Sequence, residues 1–159
     1  MTRDLLAALG RLLVLLSIAL LIAIQFVPYR VSNPAVVEGP QWDSPATEAL
    51  ARRACFDCHS NEVNVPWYGR VAPLAWLVRD HVDEGRSQLN FSEMHLRQEE
   101  AHEAGEEVAE GHMPPQYYLL LHPDARLGNA ERRALQVGLD ATFGDDDGDR
   151  LAHGEDHDD

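Results

Sequence analysis

The sequence predicts an all-α protein, a small helical domain with long loops preceded by a single N-terminal transmembrane helix. Three observations carry that prediction. Leu5 to Val27 forms one apolar block, interrupted by Arg11, Ser17 and Gln25. Apolar residues beyond it recur at helical spacing, and no stretch of β-branched alternation is long enough for a sheet. The 159 residues leave room for one ordinary domain plus appendages, and no internal repeat divides them.

Residues 1–27 are expected to be a signal anchor, because the apolar block suits the roughly 30 Å of bilayer hydrocarbon. Arg11 lies near one end, where its stem can reach the interface. With Arg3 and Arg11 on the N-terminal flank and an acidic remainder, the positive-inside rule sends everything after Val27 across the membrane. A cleaved signal peptide is the rival. It wants small residues at the cleavage point, and QFVPYRVSNPA offers only Ala35. Residues 28–43, with their prolines and glycine, read as a tether.

Residues 44–143 are the expected soluble domain. Ser44 is an N-cap with Pro45 at the first helical position, and Ala46, Ala49, Leu50 and Ala54 fall on roughly one face. A loop from Ser60 to Pro73 follows. Leu74, Leu77, Val78, His81 and Val82 then mark a second helix that Gly85 should end. Ser92 is placed to cap a third helix running to Gly111, apolar at Met94, Ala101, Ala104 and Val108. HMPPQYY cannot be helical through its prolines. A last helix begins at Asn129, with Ala134, Leu135, Gly138 and Phe143 for packing. Four thin helices make little core, a deficit that a bound apolar cofactor would repair. Residues 144–159 read as a disordered acidic tail, eight carboxylates against Arg150, with His153 and His157 able to hold metal loosely.

The net charge of −14 argues against a nucleic-acid partner, whose phosphates demand a basic surface. Partners with basic patches fit better. All thirteen basic residues are Arg, so no lysine-ringed docking face is available.

The chain has two cysteines, Cys55 and Cys58, with His59 directly after the second. A structural zinc site needs four N or S ligands, and only one C-x-x-C knuckle is present. His81, His95, His102, His112 and His122 lack the spacing to complete it. A thioredoxin-type pair sits at the start of a helix, where the helix N-terminus lowers a thiol pKa, whereas here the helix comes first. A disulfide would close only a tiny loop and constrain the unfolded chain little. C-x-x-C-H is also the c-type haem attachment pattern, and an extracytoplasmic site after a capped helix suits it.

Beyond the motif, the blocks CHSN, PWY, HV-x-x-GR-x-x-LNFS, MPP-x-x-Y and HP-x-A-x-L resemble the bacterial haem-binding-domain family of small, membrane-tethered c-type cytochromes, over about residues 45 to 143. Members commonly carry a tryptophan shortly after NFS, where this chain has Met94. The resemblance implies a cytochrome c-like helical domain with one covalent haem c on Cys55 and Cys58. It also implies His59 as proximal ligand and Met113 of the MPP segment as distal ligand. His112, His81 and an open sixth position are the alternatives to Met113.

Trp67, Tyr68, Arg70 and Arg86 are candidates for haem propionates, since indole, phenol and guanidinium groups suit carboxylates; a packed aromatic corner and solvated arginines are the bland alternative. The expected function is single-electron transfer at the outer face of the cytoplasmic membrane, with redox proteins as partners, rather than enzymatic turnover. Its rivals are a haem-based sensor with an open sixth position, a peroxidase and a zinc module.

Overall fold

The computed structural model describes residues 2–144, so the acidic tail expected beyond Gly144 lies outside the described residues. The described chain is helical. It carries α1 (Thr2–Ala23), α2 (Pro45–Ala54), α3 (Phe56–His59), α4 (Leu74–Gln88), α5 (Ala104–Glu110), α6 (Gln116–Leu119) and α7 (Asn129–Phe143), joined by loops and short 3-10 turns. Among the described residues the sole β element is an isolated parallel bridge, Glu38 to Glu93. Contacts divide the described residues into two compact units, 2–31 with 65–81, and 32–64 with 82–144.

The first unit is built on α1. Arg3–Phe26 is long and apolar enough to cross a membrane, and none of it is buried within the protein. At its end Gln25 clasps Ala72. The Gln25 Nε2 donates to the Ala72 carbonyl and the Ala72 N–H donates to Gln25 Oε1, each at 3.0 Å. The Tyr29 hydroxyl donates to Asp80 at 2.6 Å, and Arg79 lies 4.6 Å over the Tyr29 ring while donating to the Arg30 carbonyl. Gly69, Ala72 and Ala75 are buried here, whereas Leu74 and Leu77 are exposed. The helical spacing expected for this segment holds, but its two leucines face outward.

In the second unit α7 is the central element. Leu135 and Leu139 pack with Ala51, Ala54 and Phe56 of the α2–α3 run and with Val108 of α5. α2 begins as expected, with Ser44 Oγ accepting the Thr47 N–H and Pro45 at the first position. Its buried face is Thr47, Ala51 and Ala54, while Ala46 and Ala49 are exposed. Phe91 sits among aromatic rings, stacked on Phe56 at 5.3 Å and on Phe143 at 6.1 Å, with Trp42 at 5.3 Å.

Two helix boundaries differ from expectation. α4 continues through Gly85 to Gln88. The helix expected from Ser92 forms only as a 3-10 turn at Ala101–Glu103 and then α5. Polar side chains capture the backbone in between. The Ser92 N–H donates to Asn90 Oδ1, the Asn90 N–H to Gln98 Oε1, and Gln98 Nε2 donates to the Glu93 carbonyl. These side-chain bonds compete with a helical ladder. The tether is also held. Asn33 exchanges two hydrogen bonds with the Val63 backbone, and the Val37 and Glu38 N–H groups donate to the Ser92 carbonyl.

Candidate functional site

Cys55 closes α2, its N–H donating to the Ala51 carbonyl at 2.8 Å, and the next four residues form a separate turn. The Cys58 and His59 N–H groups both donate back to the Cys55 carbonyl. A three-residue spacing on a helical turn sets both thiols on one side. Phe56 between them turns into the aromatic core, and Asp57 anchors the turn from outside. Asp57 Oδ1 accepts the Asn64 N–H at 3.0 Å and its Oδ2 accepts the Tyr118 hydroxyl at 2.9 Å.

Both cysteines are free thiols. Burial, with a smaller contribution from Cys58, pushes the Cys55 pKa up to about 12. Burial and then the Asp57 charge push Cys58 up to about 11. Both are therefore protonated at neutral pH, the reverse of the lowered pKa that activates a dithiol pair.

The His59 ring is fixed by its Nδ1, 3.0 Å from the Leu89 carbonyl. A carbonyl only accepts, so Nδ1 carries the proton and Nε2 keeps the lone pair. Burial lowers the His59 pKa, opposed in part by the Leu89 and Gly85 carbonyls, and so favours the neutral ring. A neutral imidazole whose second nitrogen is held by a backbone carbonyl is the form that ligates a metal.

The run from Gly85 to Ser92 cradles this turn. Gly85 permits the approach, since a Cβ there would lie 2.7 Å from the Cys58 carbonyl oxygen and 3.1 Å from its Cβ. Arg86 Nε donates to the Ser60 carbonyl at 2.8 Å, and its Nη2 donates to the Ser32 carbonyl at 3.0 Å. The Phe91 N–H donates to the His59 carbonyl at 2.8 Å. Ser92 Oγ accepts the buried Asn61 N–H at 2.8 Å, and Asn90 Nδ2 donates to Asn61 Oδ1 at 3.2 Å. CHSN and LNFS are thus two halves of one hydrogen-bonded frame. Of this frame sequence reasoning had named Cys58, His59 and Arg86 as site residues, and had taken Gly85 for a helix end and Ser92 for a helix cap. It gave no site role to Gly85, the Leu89 carbonyl or the Asn61–Asn90–Ser92 set, although CHSN and LNFS each hold an Asn within two residues of a Ser, which was the available signal.

Met113 is placed by the end of α5. Gly111 takes φ 81° there, a left-handed conformation that suits glycine, and its N–H donates to the Glu107 and Val108 carbonyls. The His112 and Met113 N–H groups both donate to the Glu107 carbonyl at 3.1 Å. The Met113–Pro114 peptide is cis, and Pro115 precedes α6. Met113, half-buried, packs on the same apolar cluster as Cys55 and Met94. His112 turns outward between Glu107 and Glu110, at 3.5 and 3.4 Å.

The remaining candidates, Trp67, Tyr68, Arg70 and His81, belong to the first unit. There Trp67 is exposed and stands edge-on to Tyr68, and Arg70 donates to the Val65 carbonyl. Among the described residues, no group of three or more His, Cys, Asp or Glu gathers to hold a metal ion.

The chain matches the haem-binding domain family over residues 19–141, a span that starts inside α1 and ends inside α7. No curated protein and no solved structure matches it.

Proposed function

The chain belongs to the haem-binding-domain family, and from that premise we propose that it is a membrane-tethered c-type cytochrome that transfers single electrons. Haem binding follows from the family; covalent attachment and electron transfer are the proposal. One observation carries it. Two neutral thiols on one side of a helical turn stand next to a histidine whose Nδ1 is tied to the Leu89 carbonyl, which leaves Nε2 for iron.

These residues fit the group. Cys55 and Cys58 would hold the porphyrin by thioethers, His59 Nε2 would be the proximal ligand, and Met113, on the cluster that also packs Cys55, would offer its sulfur as the distal ligand. When bound, the haem supplies one-electron chemistry between ferrous and ferric iron. The chain's own contribution is to fix the His59 tautomer through Leu89, to hold the turn against Gly85 and Phe91, and to exclude water with the aromatic core. A thioether opposite histidine raises the reduction potential relative to two histidines. The apolar helix Arg3–Phe26 would anchor the protein, with the haem domain on the outer face of the cytoplasmic membrane. The acidic surface predicts redox partners with basic patches and association that weakens with salt.

Spectroelectrochemical titration of the full chain, made with the haem-attachment machinery, tests this reading. A single one-electron transition, with a ferrous state that takes up no carbon monoxide, supports the carrier. Rapid and complete adduct formation would replace it with a sensor or ligand-binding module whose sixth position is open.

A further inference from the structure

In the first unit the usual ordering of side chains is reversed. Along the segment that follows Val65, the small residues face inward, with Ala72 7% and Ala75 1% exposed. The large apolar ones face outward: Trp67 77%, Val71 48%, Leu74 47% and Leu77 52%. Leu74 and Leu77 are three apart on α4 and share one face, and the exposed Val71, itself extended, lies just before that helix. A face of this kind marks a contact surface rather than a free one.

Its position says which contact. Gln25 binds Ala72 through both of its amide atoms at 3.0 Å, and Gln25 lies at the last turn of the apolar span Arg3–Phe26. The apolar surface is therefore pinned to the depth at which the span ends, beside the exposed Phe26. Tyr29, on the next stretch of chain, binds Asp80 and packs under Arg79, which holds the helix carrying Leu74 and Leu77 against the same end.

We infer that Val71, Leu74 and Leu77, flanked by Trp67, form a second membrane-contacting surface that lies in the outer lipid interface beside the exit of α1. The inference rests on the reading that α1 spans the bilayer. An apolar surface with an aromatic residue at its edge suits the boundary between headgroups and acyl chains. Those residues stay exposed within the protein because lipid, not core, covers them. The first unit would thus fix the orientation of the membrane-proximal chain instead of leaving α1 as a single swivelling post.

The test is photo-crosslinking of the full chain in nanodiscs of phosphatidylcholine and phosphatidylglycerol, with p-benzoylphenylalanine replacing Leu16, Leu74 or Leu77 in separate variants. All three positions are exposed, so each variant should fold. Mass spectrometry is expected to find lipid adducts at 74 and 77 at a yield comparable to that at 16. Adducts at 16 but none at 74 and 77 would overturn the interfacial surface while leaving the span intact. Crosslinks from 74 or 77 to protein instead of lipid would overturn it in favour of a protein contact. No lipid adduct at any of the three would overturn the span and the inference with it.

Discussion

Gly85→Ala isolates the contact on which the site is built. In a helix interior the change to alanine gains about 1 kcal/mol of propensity. Here the new Cβ would meet the Cys58 carbonyl oxygen at 2.7 Å and the Cys58 carbonyl carbon and Cβ at 3.1 Å. Two of those atoms are backbone and none is the movable end of a side chain, so α4 or the C-x-x-C-H turn must shift. Overpacking of this kind costs about 1–3 kcal/mol, and the rigid target argues for the upper end. The net expectation is a loss of about 2 kcal/mol, which lowers a urea midpoint by about 1 M at a typical slope. Gly39→Ala is the control, because its Cβ would find only the Phe91 carbonyl oxygen, at an ordinary 3.8 Å. Both variants can be unfolded as full chains in detergent and followed by far-ultraviolet circular dichroism. If Gly85→Ala is instead stabilised by about 1 kcal/mol, propensity alone governs the position and the close approach is refuted.

In the haem-free protein, alkylation at pH 8.5 should be about 1,000-fold slower at Cys55 and about 100-fold slower at Cys58 than in the urea-unfolded chain, given thiol pKa values of about 12 and about 11. Reaction of either thiol at the unfolded rate would contradict their raised pKa values. Because the folded values lie above the ordinary 9.0, the unfolded chain releases these protons first. Stability of the haem-free protein is then fully present below about pH 9 and falls as pH rises, by up to about 1.4 kcal/mol per pH unit per thiol, ceasing near pH 11 for Cys58 and near pH 12 for Cys55. Cys55→Ser/Cys58→Ser should lack that component in denaturant unfolding across this window. Ser92→Ala removes the acceptor of the buried Asn61 N–H and should cost about 1–3 kcal/mol, whereas Ser87→Ala on the exposed face of α4 should cost under about 0.5 kcal/mol. Met113→Ala should abolish the sulfur-to-iron charge-transfer band of the ferric protein while His112→Ala preserves it; survival of the band in Met113→Ala would remove Met113 as distal ligand.

What the sequence disclosed depended on whether the signal was local. α2 and α7 were legible because caps and first-turn residues act within a few positions: Ser44 and Pro45 for one, the start at Asn129 for the other. The C-x-x-C-H turn was legible as a motif for the same reason. Gly85 was misread as a helix end because sequence cannot distinguish a glycine that breaks a helix from one that admits a neighbour, and that neighbour, Cys58, lies far along the chain. The long helix expected from Ser92 failed because Asn90 and Gln98 spend their side chains on the backbone of Asn90, Ser92 and Glu93. Leu74 and Leu77 had the right period but the wrong face, since periodicity does not say whether core or lipid covers an apolar stripe. The Leu89 carbonyl that orients His59 had no side-chain signature at all.

The central claim is that the turn from Cys55 to His59 is a covalent haem site. The most direct test is the intact mass of the denatured full chain, produced with the haem-attachment machinery, followed by peptide mapping. The account predicts a gain of one haem that survives denaturation and maps to a peptide in which both Cys55 and Cys58 are blocked to alkylation. An unmodified chain with two alkylatable thiols would contradict it.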